Sequence, residues 1–236
     1  IAAMAMRLAL ILFYASMTAS LVFGLADPSW WMLPAALAGW YVADAASGLI
    51  HMYMDYRPTR EGLGLDRLYF YEGSRESAEY QAMFRAAMRK LNPIERLVYD
   101  FKNHHPRPHA LGRRKLGRQI NSTVVFGTLP LSLLLNAACV AFAPPGWLVI
   151  GLLVMLVGGT YAQYFHGTLH RETNPWFVEA MRTTRLLMTP EAHEKHHATL
   201  RQDFSTNCGW SNPVLNRVFA AMRARGRMAD AGLEPR

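Results

Sequence analysis

The sequence predicts an all-α integral membrane protein: four transmembrane helices in two hairpins, with a cytoplasmic helical cap carrying a histidine-rich dimetal site. Three observations predict it. Four apolar stretches are each long enough to cross a bilayer, whose hydrocarbon core takes about 20 helical residues. The basic residues avoid two of the connections between those stretches. Eight of the nine histidines fall in four tight groups at or beyond the ends of apolar runs. Residues 1–236 are expected to form one domain.

The first two spans are expected over residues 8–26 and 30–50, joined by the turn Asp27-Pro28-Ser29, and the last two over 122–142 and 147–165, joined by Ala143-Pro144-Pro145-Gly146. Neither turn contains Lys or Arg. All 25 basic residues lie at Arg7, between 57 and 118, or from Arg171 onward. By the positive-inside rule the N-terminus and the segments 51–121 and 166–236 face the cytoplasm, which predicts a multi-pass protein of a bacterial inner membrane or its equivalent, with its site on the cytoplasmic face. Asn121 is expected to cap the third span. Trp30, Trp31 and Trp147 suit interface anchors on the far side.

Composition agrees with a chain half in the membrane and half outside it: 51% apolar, 18% charged. Ile1 is not a natural start, so the numbering is expected to begin inside a longer chain, with room for a preceding targeting segment. The two cysteines form no CxxC, and thiolate chemistry is not expected. The net charge of +8 suits anionic lipid or an acidic electron donor; no helix-turn-helix or RNA-binding motif points to nucleic acid.

The histidine spacings are those of metal ligands. His51 and Asp55, and His166 and His170, stand four apart and share a helix face. His104 and His105 are adjacent. His193, His196 and His197 form an HxxHH string that turns three imidazoles toward one centre. The HxxHH string is suggestive by itself, whereas each of the other groups alone reads as well as an interfacial or structural histidine. Topology, inferred without using them, puts all eight on one membrane face, and that convergence carries the metal reading. His109, in a Pro-rich turn, reads as a surface residue. Eight imidazoles and a carboxylate exceed one closed zinc site. Two ions with nitrogen ligands and open positions for oxygen suit iron, with zinc as a replacement in purified protein.

Asp44 lies inside the second span, about 10 Å before His51 along the helix. With Ser47, Gly48, His51 and Asp55 it forms a polar stripe facing the bundle interior. Asp44 and Asp55 are the catalytic candidates; the alternative for Asp44 is a buried, hydrogen-bonded carboxyl. Between Asp55 and His104 lie 48 residues, in which Tyr80, Met83, Phe84, Ala87, Met88 and Leu91 make an apolar stripe beside Arg85, Arg89 and Lys90. This predicts either a helix in the membrane interface or a cap packed on the rest of the protein.

Val42-Ala43-Asp44, Ser47-Gly48-Leu49, His51-x-x-x-Asp55, Phe101-x-x-His104-His105, Gln163-x-x-His166-x-x-x-His170 and His193-x-x-His196-His197, with Gly209-Trp210 and Asn212 after them, resemble the Kua-type membrane lipid desaturases. The resemblance covers about residues 40 to 216. It implies a non-haem di-iron oxidoreductase that uses O2 and electrons from a separate cytochrome b5-like or ferredoxin-like protein to place a double bond in a lipid chain. Plasmanylethanolamine, converted to a vinyl ether, and a phospholipid acyl chain are the substrates it implies. The ligand set it implies is His51, His104, His105, His166, His170, His193, His196 and His197, with Asp55 as a further carboxylate. The long segment after Asp55 and Ala192, where some relatives carry another His, depart from the pattern. A hydroxylase on the same scaffold and a membrane metal carrier are the competing readings.

Overall fold

The computed structural model describes residues 2–235, and every regular element among them is helical. Helices α1 (Ala2–Leu25) and α2 (Met32–Tyr56) precede four short ones: α3 (Leu65–Tyr69), α4 (Ala78–Lys90), α5 (Pro93–His104) and α6 (Pro108–Gly112). α7 (Leu116–Thr123) continues through a π-helical turn into α8 (Leu129–Phe142), and α9 (Gly146–Thr168) follows. α10 (Trp176–Thr183), α11 (Pro190–Thr199) and α12 (Asn212–Ala224) complete the chain, with a 3-10 turn at Asp230–Gly232.

Among the described residues, four stretches are long and apolar enough to cross a membrane: Ala3–Leu25, Met32–Tyr56, Leu116–Phe142 and Gly146–Thr168. The third starts at Leu116 with Lys115 as its N-cap, so Asn121 lies inside the helix and not at its end. Hydropathy misses this start because the first two turns are amphipathic, burying Gln119 and Ile120 on one face. The π-helical turn Val124–Thr128 just precedes Pro130. Proline has no N–H to give the preceding turn and its ring crowds it, and the ladder adjusts by pairing the Leu129 N–H with the Val124 carbonyl five residues back.

α2 takes α9, not its sequence neighbour α1, as its main partner. Small residues every fourth position on α2, Ala35, Gly39 and Ala43, face Gly151 and Gly158 of α9. A methyl on Gly39 would collide with the Gly151 carbonyl, and one on Gly158 would meet the Ala43 Cβ at 2.6 Å. In an apolar medium such close backbone approach and its dispersion contacts hold helices together. The same register makes α2 and α9 parallel, so that His51 and His166, near their C-terminal ends, meet with ring centroids 5.0 Å apart. α1 packs on α8 and α9 through Phe13 and Met17. Its polar contacts are with Asn136 of α8, which accepts from the Ser20 hydroxyl at 2.7 Å and donates to the Ser16 carbonyl at 2.9 Å, and with Tyr161 of α9, whose hydroxyl shares a 2.9 Å hydrogen bond with that of Tyr14. At the end remote from the histidines the two short turns touch, the Gly146 N–H donating to Asp27 at 3.3 Å.

The stripe on α4 is turned inward, half of it buried and half partly buried. Tyr80 and Ala87 join Leu65, Leu68, Leu91 and Tyr99 in a core between α3, α4 and α5, with Met83, Phe84 and Met88 at its edge. The stripe thus faces α3 and α5.

The C-terminal segment descends along the α2–α9 pair farther than the spans inferred from hydropathy allow. Trp40 Nε1–H donates to the Leu186 carbonyl at 2.9 Å, and the Asn207 amide donates to the Gly158 carbonyl at 3.2 Å. Polar chain therefore covers this face of α2 from Trp40 upward, about 16 Å along the helix before His51 is reached. The far end of the segment returns to the top of α2, where Gly232 packs on the Tyr56 carbonyl.

Candidate metal centre

Four helix ends deliver the histidines. His51 and Asp55 stand one turn apart at the end of α2, and His104 and His105 close α5, whose start is fixed by a capping box between Asn92 and Glu95. His166 lies in the last turn of α9, with His170 just beyond it. His193, His196 and His197 occupy α11, capped by the Thr189 hydroxyl.

The eight rings form two adjoining groups. In one, His104, His166, His170, His193 and His197 bring one ligand atom each within 4.8 Å of the others. In the second, His51, Asp55, His105 and His196 do the same. His104 and His105 bridge the groups, with centroids 4.2 Å apart. His109 is exposed and belongs to neither.

These residues fit metal on three grounds. Ligand separations are the first. His193 Nε2 faces the Nε2 atoms of His166 at 3.1 Å and His197 at 3.2 Å. In the second group, Asp55 Oδ2 lies 3.4 Å from His51 Nε2 and 3.3 Å from His196 Nε2, while Oδ1 lies 3.5 Å from His105 Nε2. Donors bound at about 2.1 Å to one ion stand roughly 3.0–3.5 Å apart across its coordination angles. The second ground is unmet hydrogen bonding: His51 Nε2, His104 Nε2, His170 Nε2 and both Asp55 oxygens are buried without a hydrogen-bond partner. Such groups are costly unless a ligand or ion satisfies them. Third, three rings are oriented from behind by carbonyl oxygens, which only accept. His51 Nδ1–H donates to Phe204 O and His196 Nδ1–H to Gln202 O, both at 2.9 Å, and His104 Nδ1–H donates to Phe101 O. Each bond fixes the tautomer that leaves Nε2 bare for a metal.

Electrostatics agree. Burial holds His104, His105 and His193 well below the ordinary imidazole range, with His197, His104 and His196 respectively adding the largest repulsion. Burial and then His197 bring His170 down to about 3, and burial and then His196 bring His197 to about 4. Neutral imidazole is the form that ligates.

Asp44 is not brought to the histidines. Its carboxylate is fully buried in a nest of donors from the loop before α12: Cys208 N–H at 2.8 Å, Gly209 N–H at 3.0 Å, Ser211 N–H at 3.0 Å and the Ser211 hydroxyl at 2.6 Å. Burial, with the Asp44 charge beside it, pushes the Cys208 thiol up to about 12, which keeps it protonated. Both cysteines are buried and free, outside either histidine group.

Sequence reasoning missed Lys102. Its side chain is fully buried, and the ammonium donates to the backbone carbonyls of Asp55 and Gly232. It thereby satisfies a carbonyl left open at the end of α2 and ties α2, α5 and the tail together. Burial lowers its amine to about 8, with the Asp55 charge opposing. The available signal was that Lys102 continues the buried stripe of Val98 and Phe101 on α5.

The family model described as a lipid desaturase domain matches residues 94–231. A plasmanylethanolamine desaturase from Myxococcus xanthus is 25% identical over 242 residues, covering 98% of this chain and 74% of that protein. No solved structure matches the chain.

Proposed function

Because this chain belongs to the Kua-type lipid desaturase family of multi-pass membrane oxidoreductases, we propose that it is a di-iron enzyme that removes two hydrogens from a saturated stretch of a membrane lipid. One iron is assigned to His104, His166, His170, His193 and His197, the other to His51, Asp55, His105 and His196. The observation that carries this reading is the pair of adjoining groups with buried, unpartnered ligand atoms. When bound, the irons supply what no side chain here has, oxygen activation strong enough to break an unactivated C–H bond. The balance is one O2, two electrons and two protons taken up with the two hydrogens, giving the alkene and two waters.

The chain's own residues supply orientation and exclusion. The Phe101, Gln202 and Phe204 carbonyls hold three ligand rings, and Asp55 adds the one carboxylate of the set. The buried Lys102 steadies the backbone behind it. The site is assigned to the cytoplasmic face, where a separate cytochrome b5-like or ferredoxin-like donor delivers electrons. Plasmanylethanolamine is the first substrate to try, on the strength of the Myxococcus xanthus relative, and a phospholipid acyl chain the second. Asp44 acts as a positioning residue for the loop it anchors. A metal carrier fits less well, since a carrier spreads ligands along a path and all eight histidines here gather at one end of the bundle.

Lipid mass spectrometry on a host with and without the protein tests the reading. Loss of two hydrogens, with acid-labile vinyl ethers for the ether lipid, supports it. Gain of one oxygen would instead identify a hydroxylase.

A further inference from the structure

We propose that the cleft between α11 and the loop leading into α12 is the docking site for the zwitterionic headgroup, phosphate plus primary ammonium, of the glycerophospholipid substrate, with Arg185 and Lys195 receiving the phosphate and Asp203 the ammonium. The assignment rests on the desaturase reading and extends it to residues that the metal centre does not use.

The cleft has a volume of about 590 Å³, and Arg185, Lys195, Asp203 and Trp210 line it together with the apolar Leu187 and Met188. Its position along the bundle is fixed by two contacts already described: Asp44 holds Cys208 to Ser211, and Trp40 holds Leu186. It therefore stands at the level where polar chain first covers α2, and Asp44 lies about 10 Å along that helix from His51.

Arg185 is the telling residue. It ends α10 in the left-handed conformation, φ 60, with the Leu186 N–H bonded back to the Met181 carbonyl at 2.8 Å. Such a stop is normally glycine, and a branched-off side chain there is strained by about 1 kcal/mol or more. The arginine gains no ion pair or side-chain hydrogen bond among the described residues in return, and neither does Lys195 on α11. Arg182, by contrast, is buried and fully engaged with Glu179, Met188 and Thr168, so it builds the wall and is not free for a ligand. Asp203 is also held in a left-handed conformation, φ 57. Asn216 engages its N–H and its Oδ1, leaving Oδ2 open. Two uncommitted cations lining one cleft with a half-free carboxylate match the charges of a phosphate carrying an amine. Trp210, partly exposed at the rim, is the residue type that settles at headgroup depth.

The test is equilibrium binding of dihexanoyl phosphatidylethanolamine and dihexanoyl phosphatidylglycerol to the purified, metal-loaded protein, with inorganic phosphate as competitor. Arg185→Gly removes the cation and relieves the backbone strain. It should weaken binding of the ethanolamine lipid by about tenfold, the size of one lost charge-assisted contact, while thermal stability holds or rises and metal content stays constant. Lys195→Ala should act in the same direction, and Asp203→Asn should abolish the preference for ethanolamine over glycerol. Unchanged binding in both cation variants, or an unchanged preference in Asp203→Asn, would overturn the assignment, as would free phosphate competing as well as the lipid. Failure of the desaturase reading looks different: wild-type protein would bind the lipid through these residues and yet never remove hydrogen from it.

Discussion

The carboxylate of Asp44 accepts both the backbone N–H of Ser211, at 3.0 Å, and its hydroxyl, at 2.6 Å, across 167 positions of sequence. An ionisable group in the middle of an apolar helix is thereby used to pin a distant loop. Asparagine at position 44 would turn an amide NH2 toward donors that need an acceptor. Asp44→Asn is expected to destabilise the fold by about 3 kcal/mol, the scale of a buried donor left unmet together with lost charge-assisted bonds. Thermal melts in detergent would register this even in metal-free protein. A normal melt with abolished turnover would instead place Asp44 in the chemistry.

The two histidine groups should be separable by mutation. His197→Ala removes a ligand from the five-histidine group, and His196→Ala one from the group containing Asp55. Each is expected to lower affinity for its own ion by at least the roughly 100-fold that an outer-shell partner is worth, with membrane insertion intact. Metal content per chain and oxygen-dependent turnover check this together. Loss of both metals in both variants would mean that the ions share one site.

Stability of the metal-free protein should depend on pH in a defined direction. His170 and His197 are held at about 3 and about 4, whereas an unfolded chain titrates near 6.5. Between those limits the unfolded state binds more protons, so the folded state loses stability as pH falls from about 6.5 toward 4 and keeps its full contribution above that window. Melts of chelator-treated protein at stepped pH would reveal the slope. A flat profile would show that these rings are not held neutral.

Lys102→Met keeps the side-chain volume and removes the donor. The carbonyls of Asp55 and Gly232 then lose a buried partner, with an expected cost of about 1–3 kcal/mol and release of the tail around Asp230–Gly232. Hydrogen exchange should increase there and at the end of α2 while α1 and α8 are unaffected. Protection unchanged at both places would remove Lys102 from its clamping role.

At Gly39 even a methyl has no room, because the Gly151 carbonyl occupies its place. Gly39→Leu is expected to force α2 and α9 apart and cost at least the 1–3 kcal/mol of ordinary overpacking. Since His51 and His166 ride on those two helices, metal content should fall with it. Gly127→Leu, where a Cβ meets nothing within 4 Å, is the matched control.

Much of this architecture is legible in the chain because its signals are local. Apolar runs reveal spans, and His51 with Asp55 or His166 with His170 reveal themselves by sharing a helix face. What escaped depends on distant contacts. Nothing near His105 states that it joins His51, Asp55 and His196 while its neighbour His104 joins the five-histidine group. The early start at Leu116 hides in an amphipathic turn that hydropathy averages away. Asp44 draws attention as a charge in a span, but its partners lie in a loop that no periodicity connects to it. Lys102 reads as an ordinary surface cation until the tail is seen folded over it.

The seam between α2 and α9 is made of main chain touching main chain, with Ala35, Gly39 and Ala43 against Gly151 and Gly158. Contacts of that kind have no rotamers to change. The separation of the two rods therefore stays constant while the side chains around them fluctuate, and in a thicker or thinner bilayer the pair leans as a single strut without splaying. The ends of that strut hold His51 and His166, so the gauge of the centre is set by backbone thickness and is insulated from the fluidity of the surrounding lipid.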